Sequence, residues 1–224
     1  MALKIGFRLF PGVTQVDLTG PCELLARIPG AELHFVWKDL APVTSDTGLR
    51  LLPTTEFSAC PPLDVVLVPG GVGQVPLMQD TVVLDFLRRQ AAQARWVTAV
   101  CTGSLLLGAA GLLAGYAATT HWQFHSLLSP CGAIPTQARV VVDRNRMTGG
   151  GVTAGIDFGL RLVAELCGAD LAKQLELALE YAPEPPFGTG RPELAGPVLV
   201  ERAVRDNLRR VEERGEGIRA ALLG

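Results

Sequence analysis

The chain has 224 residues, one large domain on the usual scale of ~150 residues per domain, and no linker is evident before residue 183. Lys+Arg total 20 and Asp+Glu 22, a net charge of −2, so the concentrated positive charge that holds a phosphate backbone is missing and nucleic acid is excluded as a dominant partner. A hydrophobic fraction of 48% against 19% charged excludes disorder over most of the chain, because there is ample apolar surface to bury.

In chain order, the apolar run Leu3 to Leu9 reads as a buried strand that ends at Phe10-Pro11-Gly12. Helical spacing of Val16, Leu18, Cys22, Leu24, Leu25 and Ile28 follows, with Pro21 near its start. Residues 32–37 predict a second strand, and 43–57 alternate weakly, as a strand pair or hairpin would. Asp64 to Val68 is the clearest strand and runs into Pro69-Gly70-Gly71. An amphipathic helix is predicted over 81–94 and another buried strand over 96–100, followed at once by Cys101-Thr102-Gly103-Ser104. Residues 105–113 predict a helix that is apolar all round, hence buried.

Beyond it, the pattern predicts a short strand over 117–120, a short helix over 121–128, and a strand at Val140-Val141-Val142 that turns back through 143–146. Thr148 to Gly151 reads as a glycine loop, with helices predicted over 153–166 and 169–181. Ala182-Pro183-Glu184-Pro185-Pro186 cannot be helix and leads away from the domain. Leu194 to Arg214 is again amphipathic, with Leu199, Ala203, Val204, Leu208 and Val211 on one side. Strands alternating with helices of about 12 residues imply βαβ units: an α/β, doubly wound, mostly parallel sheet with helices on both faces. The expected division is an α/β domain over 1–182 and a proline-rich connector with a C-terminal helix over 183–224.

No apolar run reaches the roughly 20 residues that span a bilayer, and the N-terminus, interrupted by Lys4 and Arg8, lacks a signal-peptide core. A cytoplasmic protein that engages no membrane is expected. Its five widely spaced cysteines form neither a CxxC pair nor a disulfide framework, and for four of them a small buried hydrophobe is the expected role.

Cys101 departs from that expectation. It stands between a buried strand and the first turn of a helix, flanked by small residues, which is the logic of a nucleophile elbow. The helix start offers free N–H groups that favour a thiolate and lower the thiol pKa. Read alone, Asp17 is better taken as an N-cap of the helix beginning at Leu18. Thr102 brings an N–H to the helix start and a hydroxyl that can orient an acid or water. Gly71 can bring a further N–H to the pocket, or serve only as a turn residue.

Val-Cys-Thr-Gly-Ser at 100–104, Val-Pro-Gly-Gly at 68–71, Phe-Pro-Gly at 10–12 followed by Asp17, and Ala-Thr-Thr-His-Trp at 118–122 together carry a resemblance. Across about residues 3 to 181 the chain resembles the PfpI/ThiJ superfamily of class I glutamine amidotransferase-like proteins. The resemblance implies a flavodoxin-like sheet and a nucleophilic Cys101 with Asp17 and Thr102 beside it. Within the superfamily it points to members that hydrate isonitriles, because Asp17 stands where many relatives carry Glu and the chain ends after one domain. Related transcription regulators share Ala-Thr-Thr-His-Trp but continue into a helix-turn-helix domain.

Hydration of R–N≡C needs a thiolate and an acid facing one carbon. Cys101 and Asp17 would supply them, giving a thioimidate and then an N-substituted formamide. Gly70, Gly71 and Gly151 are the expected lining of the substrate or anion pocket. His121 weighs as a supporting, structural residue rather than a base. His121 and His125 stand four apart but lack a third ligand, so no metal is expected, and no cofactor. The loop 149–151 has neither the Walker lysine nor GxGxxG order. Trp37, Trp122 and Phe124 are expected in the core. The alternatives are a glyoxalase- or deglycase-like enzyme acting on α-oxoaldehydes, or a redox-responsive or chaperone-like protein with an oxidisable Cys101. A homodimer is expected, both from the resemblance and because the tail's apolar stripe needs cover.

Overall fold

The structure is a computed structural model and describes residues 2–223. The chain forms β1 (Leu3–Arg8), α1 (Gln15–Leu25), β2 (Ala31–Trp37), β3 (Val43–Thr44), β4 (Arg50–Leu51), β5 (Thr55–Glu56), β6 (Val65–Val68), α2 (Thr81–Ala91), β7 (Trp96–Val100) and α3 (Gly103–Ala109). It continues through β8 (Ala117–Ala118), β9 (Ile134–Pro135), β10 (Val140–Asp143), β11 (Arg146–Gly149), α4 (Ala154–Cys167), α5 (Ala169–Ala178), α6 (Pro192–Ala195) and α7 (Pro197–Leu223).

Seven strands make the main sheet, in the order β10-β11-β7-β6-β1-β2-β5. All neighbours are parallel except β10 and β11, which form a hairpin. Successive side chains of a strand point to opposite faces, and all four residues of β6 are buried, so helices must cover both sides. The predicted doubly wound α/β architecture is the one observed. Residues 43–57 divide: β3 and β4 pair antiparallel, while β5 joins the main sheet beside β2.

Two expectations are corrected. Thr148 and Gly149 are not loop but the end of β11, paired with Val141 and Val140, and the glycine loop begins only at Gly150. The tail does not lead away. After an exposed connector, α7 returns and packs on α3 and on the 3-10 turns at 76–78, 122–127 and 129–131. Its buried residues are Arg214, Gly215, Gly217 and Ile218. The predicted stripe remains largely uncovered, with Leu199 49%, Val204 46% and Leu208 55% exposed. Among the described residues no helix is long and apolar enough to cross a membrane.

Candidate functional site

The carboxyl ends of β1, β6 and β7 bring three turns together, where open parallel sheets carry their sites. At the end of β7 the backbone reverses through Cys101, which holds a left-handed φ of 56°. A side chain there costs about 1–3 kcal/mol of strain. Four hydrogen bonds fix it: the Cys101 N–H donates to the Gly149 and Gly150 carbonyls, both at 3.0 Å, and the Cys101 carbonyl accepts from Ser104 Oγ and Thr120 Oγ1, both at 2.9 Å. Gly103 follows because a Cβ there would run into the Val68 carbonyl.

The strained turn does not lift the thiol into the open. Cys101 is only 6% exposed, and the Asp17 carboxyl lies beside it, fully buried. Helix α1 is capped at Thr14, so Asp17 sits in its first turn and not at the N-cap. Its carboxyl points at the sheet instead. Oδ2 accepts from the Gly70 N–H at 2.9 Å, while Oδ1 is buried without an N–H or O–H donor. The carboxyl and the Cys101 thiol are electrostatically coupled. Gly70 is obligatory: a Cβ would come within 2.6 Å of Asp17 Oδ2 and 2.8 Å of Thr102 N and Oγ1.

Gly71 donates its N–H to Thr102 Oγ1 at 3.2 Å. Both N–H groups are thus committed within the site, where they hold Asp17 and Thr102. Gln74, also buried, clamps the same turn by donating Nε2 to the Pro69 carbonyl at 2.9 Å.

The electrostatics run against the expected low-pKa thiolate. Burial pushes the Cys101 thiol well above its usual value and Asp17 pushes it further; the Thr102 N–H and Arg214 oppose this with smaller effect. Burial raises Asp17 to about 7, partly offset by the Gly70 N–H and the thiol, while Asp46 adds to the rise. The thiol therefore stays protonated near neutrality, while the coupled carboxyl is the group that changes protonation there.

His121 and Gly151 face each other on a different wall; a Cβ on Gly151 would lie 2.8 Å from His121 Cδ2. Both line an open cavity of about 750 Å³, together with Thr120, Trp122, Arg139 and Arg191. Thr120 and Gly150 on that wall bond the Cys101 backbone, so the cavity abuts the elbow from behind. Burial, followed by nearby Arg214, lowers His121 to about 4, keeping its ring neutral.

Phe124 is in the core, and so is Trp37, which packs edge-on against Phe57 at the end of β2. Trp122 is part of the cavity wall instead. Of the other cysteines only Cys131 is buried; Cys22 and Cys60 are half-buried and Cys167 is exposed, which corrects the uniform expectation. Among the described residues no three His, Cys, Asp or Glu side chains gather as a metal site.

Sequence reasoning missed Arg214. It is 4% exposed and donates Nη2 to the Gly71 carbonyl at 3.0 Å across 143 residues.

A parallel α/β sheet with a strained cysteine elbow and a buried carboxyl against the thiol defines a class of cysteine-dependent flavodoxin-like proteins. The chain belongs to the DJ-1/PfpI family, whose model matches residues 3–165. It is 62% identical over 203 residues to an isonitrile hydratase of Pseudomonas putida, covering 91% of this chain and 89% of that one. A helix-turn-helix transcriptional regulator of Pseudomonas aeruginosa is 35% identical over 80% of this chain, which spans half of the regulator's length. Among solved structures, a ThiJ/PfpI family protein from Pseudomonas syringae superposes with a TM-score of 0.95 at 43% identity, covering 97% of this chain and 91% of that one. The oxidised DJ-1 of Toxoplasma gondii shares the fold, with a TM-score of 0.73 at 24% identity over 81% of this chain and all of that one.

Proposed function

We propose that this chain is an isonitrile hydratase that converts R–N≡C to an N-substituted formamide. The observation that supports the reading is one buried thiol coupled to one buried carboxyl whose Oδ1 has no hydrogen-bond partner. The identity to the Pseudomonas putida enzyme supports the substrate class.

The terminal isonitrile carbon must receive a nucleophile and a proton. Cys101 Sγ attacks it while the thiol proton passes through Asp17 to the same carbon, giving R–N=CH–S–Cys101. The Thr102 N–H stabilises the sulfur as its charge develops. Water then adds to the thioimidate carbon. The C–S bond breaks, one water proton goes to nitrogen and the other returns to sulfur, and R–NH–CHO leaves. An acid near 7 suits this exchange, because it gives and takes a proton at similar cost. His121, neutral and placed on the cavity wall, supports the site without acting as its base.

A redox-sensing role for Cys101 fits less well, since sensor thiols are exposed and of low pKa and this one is neither. The chain acts as a homodimer in this reading: the exposed apolar stripe of α7 is self-complementary cover for a second copy. Residues 1–182 form the catalytic domain and 183–224 the connector and helix. The free thiols suit a reducing, cytoplasmic setting. The test is formamide production from a simple alkyl isonitrile, run beside methylglyoxal. Turnover of the isonitrile is expected; activity on methylglyoxal alone would overturn the reading.

A further inference from the structure

The tail helix reaches the candidate site through a side chain that the proposed chemistry has not used. Arg214 projects from the buried face of α7 into the body of the domain. Its guanidinium lies 4.6 Å from the centre of the Phe124 ring. Nη2 donates to the Gly71 carbonyl at 3.0 Å and Nη1 to the Arg210 carbonyl at 3.3 Å, while Nε is buried and unpartnered. No carboxylate of the described residues forms an ion pair with it.

A buried cation without a counter-ion is costly, and such a group is stabilised when negative charge appears nearby. Through Gly71 the guanidinium is joined to Thr102, the residue that follows Cys101, and the Cys101 thiol is a group able to acquire negative charge to which Arg214 is electrostatically coupled. The Gly71 contact has a second consequence. The turn that Arg214 holds from outside is the one whose two N–H groups hold Asp17 and Thr102 from inside.

We infer that Arg214 is a positioning residue of the site, pinning the Gly70–Gly71 turn and stabilising negative charge on Cys101 Sγ. It deepens the reading of Cys101 as nucleophile and rests on it. Charged or titratable neighbours of the pair are few. Asp17 faces Cys101 from α1; Arg214 faces it from α7 and also faces His121; Arg210 and Glu213 flank Arg214 on its own helix.

The test is site-resolved alkylation of Cys101 by iodoacetamide, read by mass spectrometry between pH 6.5 and 9.5 in a Cys167→Ser background, with melting temperature as the check on folding. Alkylation needs no isonitrile, so it separates this inference from the assignment of substrate. Below the thiol pKa the rate follows the thiolate fraction. Arg214→Met, which keeps the packing on Phe124 and removes the charge, is expected to slow Cys101 about tenfold at every pH in that range, one unit of pKa. Arg214→Lys, which keeps the charge and loses the planar fork, is expected to alkylate within about threefold of the parent yet turn over more slowly, through kcat rather than KM. A folded Met variant with the parent's profile would overturn the inference, as would a Lys variant as slow to alkylate as Met. If the Met variant does not fold, Arg214→Gln removes the charge while retaining a donor for Gly71 and is judged by the same criteria.

Discussion

Two buried cysteines invite comparison. Cys131 lies under α3, where Gly108 leaves just enough room for its sulfur, and its thiol donates to the Leu127 carbonyl at 3.3 Å. Burial alone pushes it up to about 12. Cys101 is buried to a similar degree, and its pKa is also raised, but it has a carboxyl, a backbone N–H and a guanidinium around it. The difference lies in what can happen to the proton. At Cys131 there is no group to receive it. In the proposed reaction a carboxyl near 7 would take it at Cys101, and Arg214 would stabilise what remains. Burial alone makes a thiol inert; burial beside a proton acceptor is what the proposed nucleophile would need.

The comparison breaks most sharply at the two sulfurs. Cys101→Ala is expected to remove isonitrile turnover by a factor on the order of 10⁴ or more, with little change in melting temperature. Cys131→Ala should keep turnover and lower stability by about 1–2 kcal/mol, the cost of a small cavity. Equal losses of activity in the two variants would end the distinction.

Asp17→Asn keeps the shape and removes the proton. Turnover should fall by about 10². Stability should move the other way, and its pH dependence has a definite sign. The folded-state pKa of Asp17 is raised from 3.8 to about 7. Folding therefore favours the neutral acid, a contribution complete below pH 3.8 and lost progressively as pH rises to about 7. Chemical denaturation should find the Asn variant level with the parent at pH 4 and more stable at pH 8, by up to about 4 kcal/mol.

A smaller effect is expected at Gly70→Ala, where the added methyl must displace Asp17 or Thr102. We expect a loss of about tenfold or more in kcat with the thiol still present, while Gly30→Ala, at a turn with open space around its Cβ, should leave kinetics unchanged. The mildest effect on catalysis should come from Leu199→Glu combined with Leu208→Glu on the exposed face of α7. Light scattering should show a monomer with an unaltered fold; a persisting dimer would place the subunit contact elsewhere.

What the sequence revealed depended on how local the determinant was. The elbow was legible because strand, thiol and small residues are contiguous from Trp96 to Ser104. Asp17 was ambiguous because its partner, Gly70, lies 53 residues away, and a first-turn acid reads locally as a cap. The strand β11 was hidden by its terminal Gly149, which reads as loop until it pairs with Val140. The direction of the thiol shift was misread because the helix start was visible in the sequence and the burial was not. Arg214 was invisible for a different reason. The hydrophobic periodicity of α7 marks the outward face, while the inward face carries Arg214, Gly215 and Gly217, residues that a hydropathy pattern assigns to solvent.

The bond from Arg214 to Gly71 has a consequence for how the protein comes into being. It closes a loop of 143 residues, so it can form only after that whole stretch has been synthesised, at roughly 5–20 residues per second. Strands β1, β6 and β7 can assemble, and the thiol can meet its carboxyl, before the helix that supplies the guanidinium has left the ribosome. In the proposed reading the site is then completed in two stages as the chain is made, the second waiting on α7.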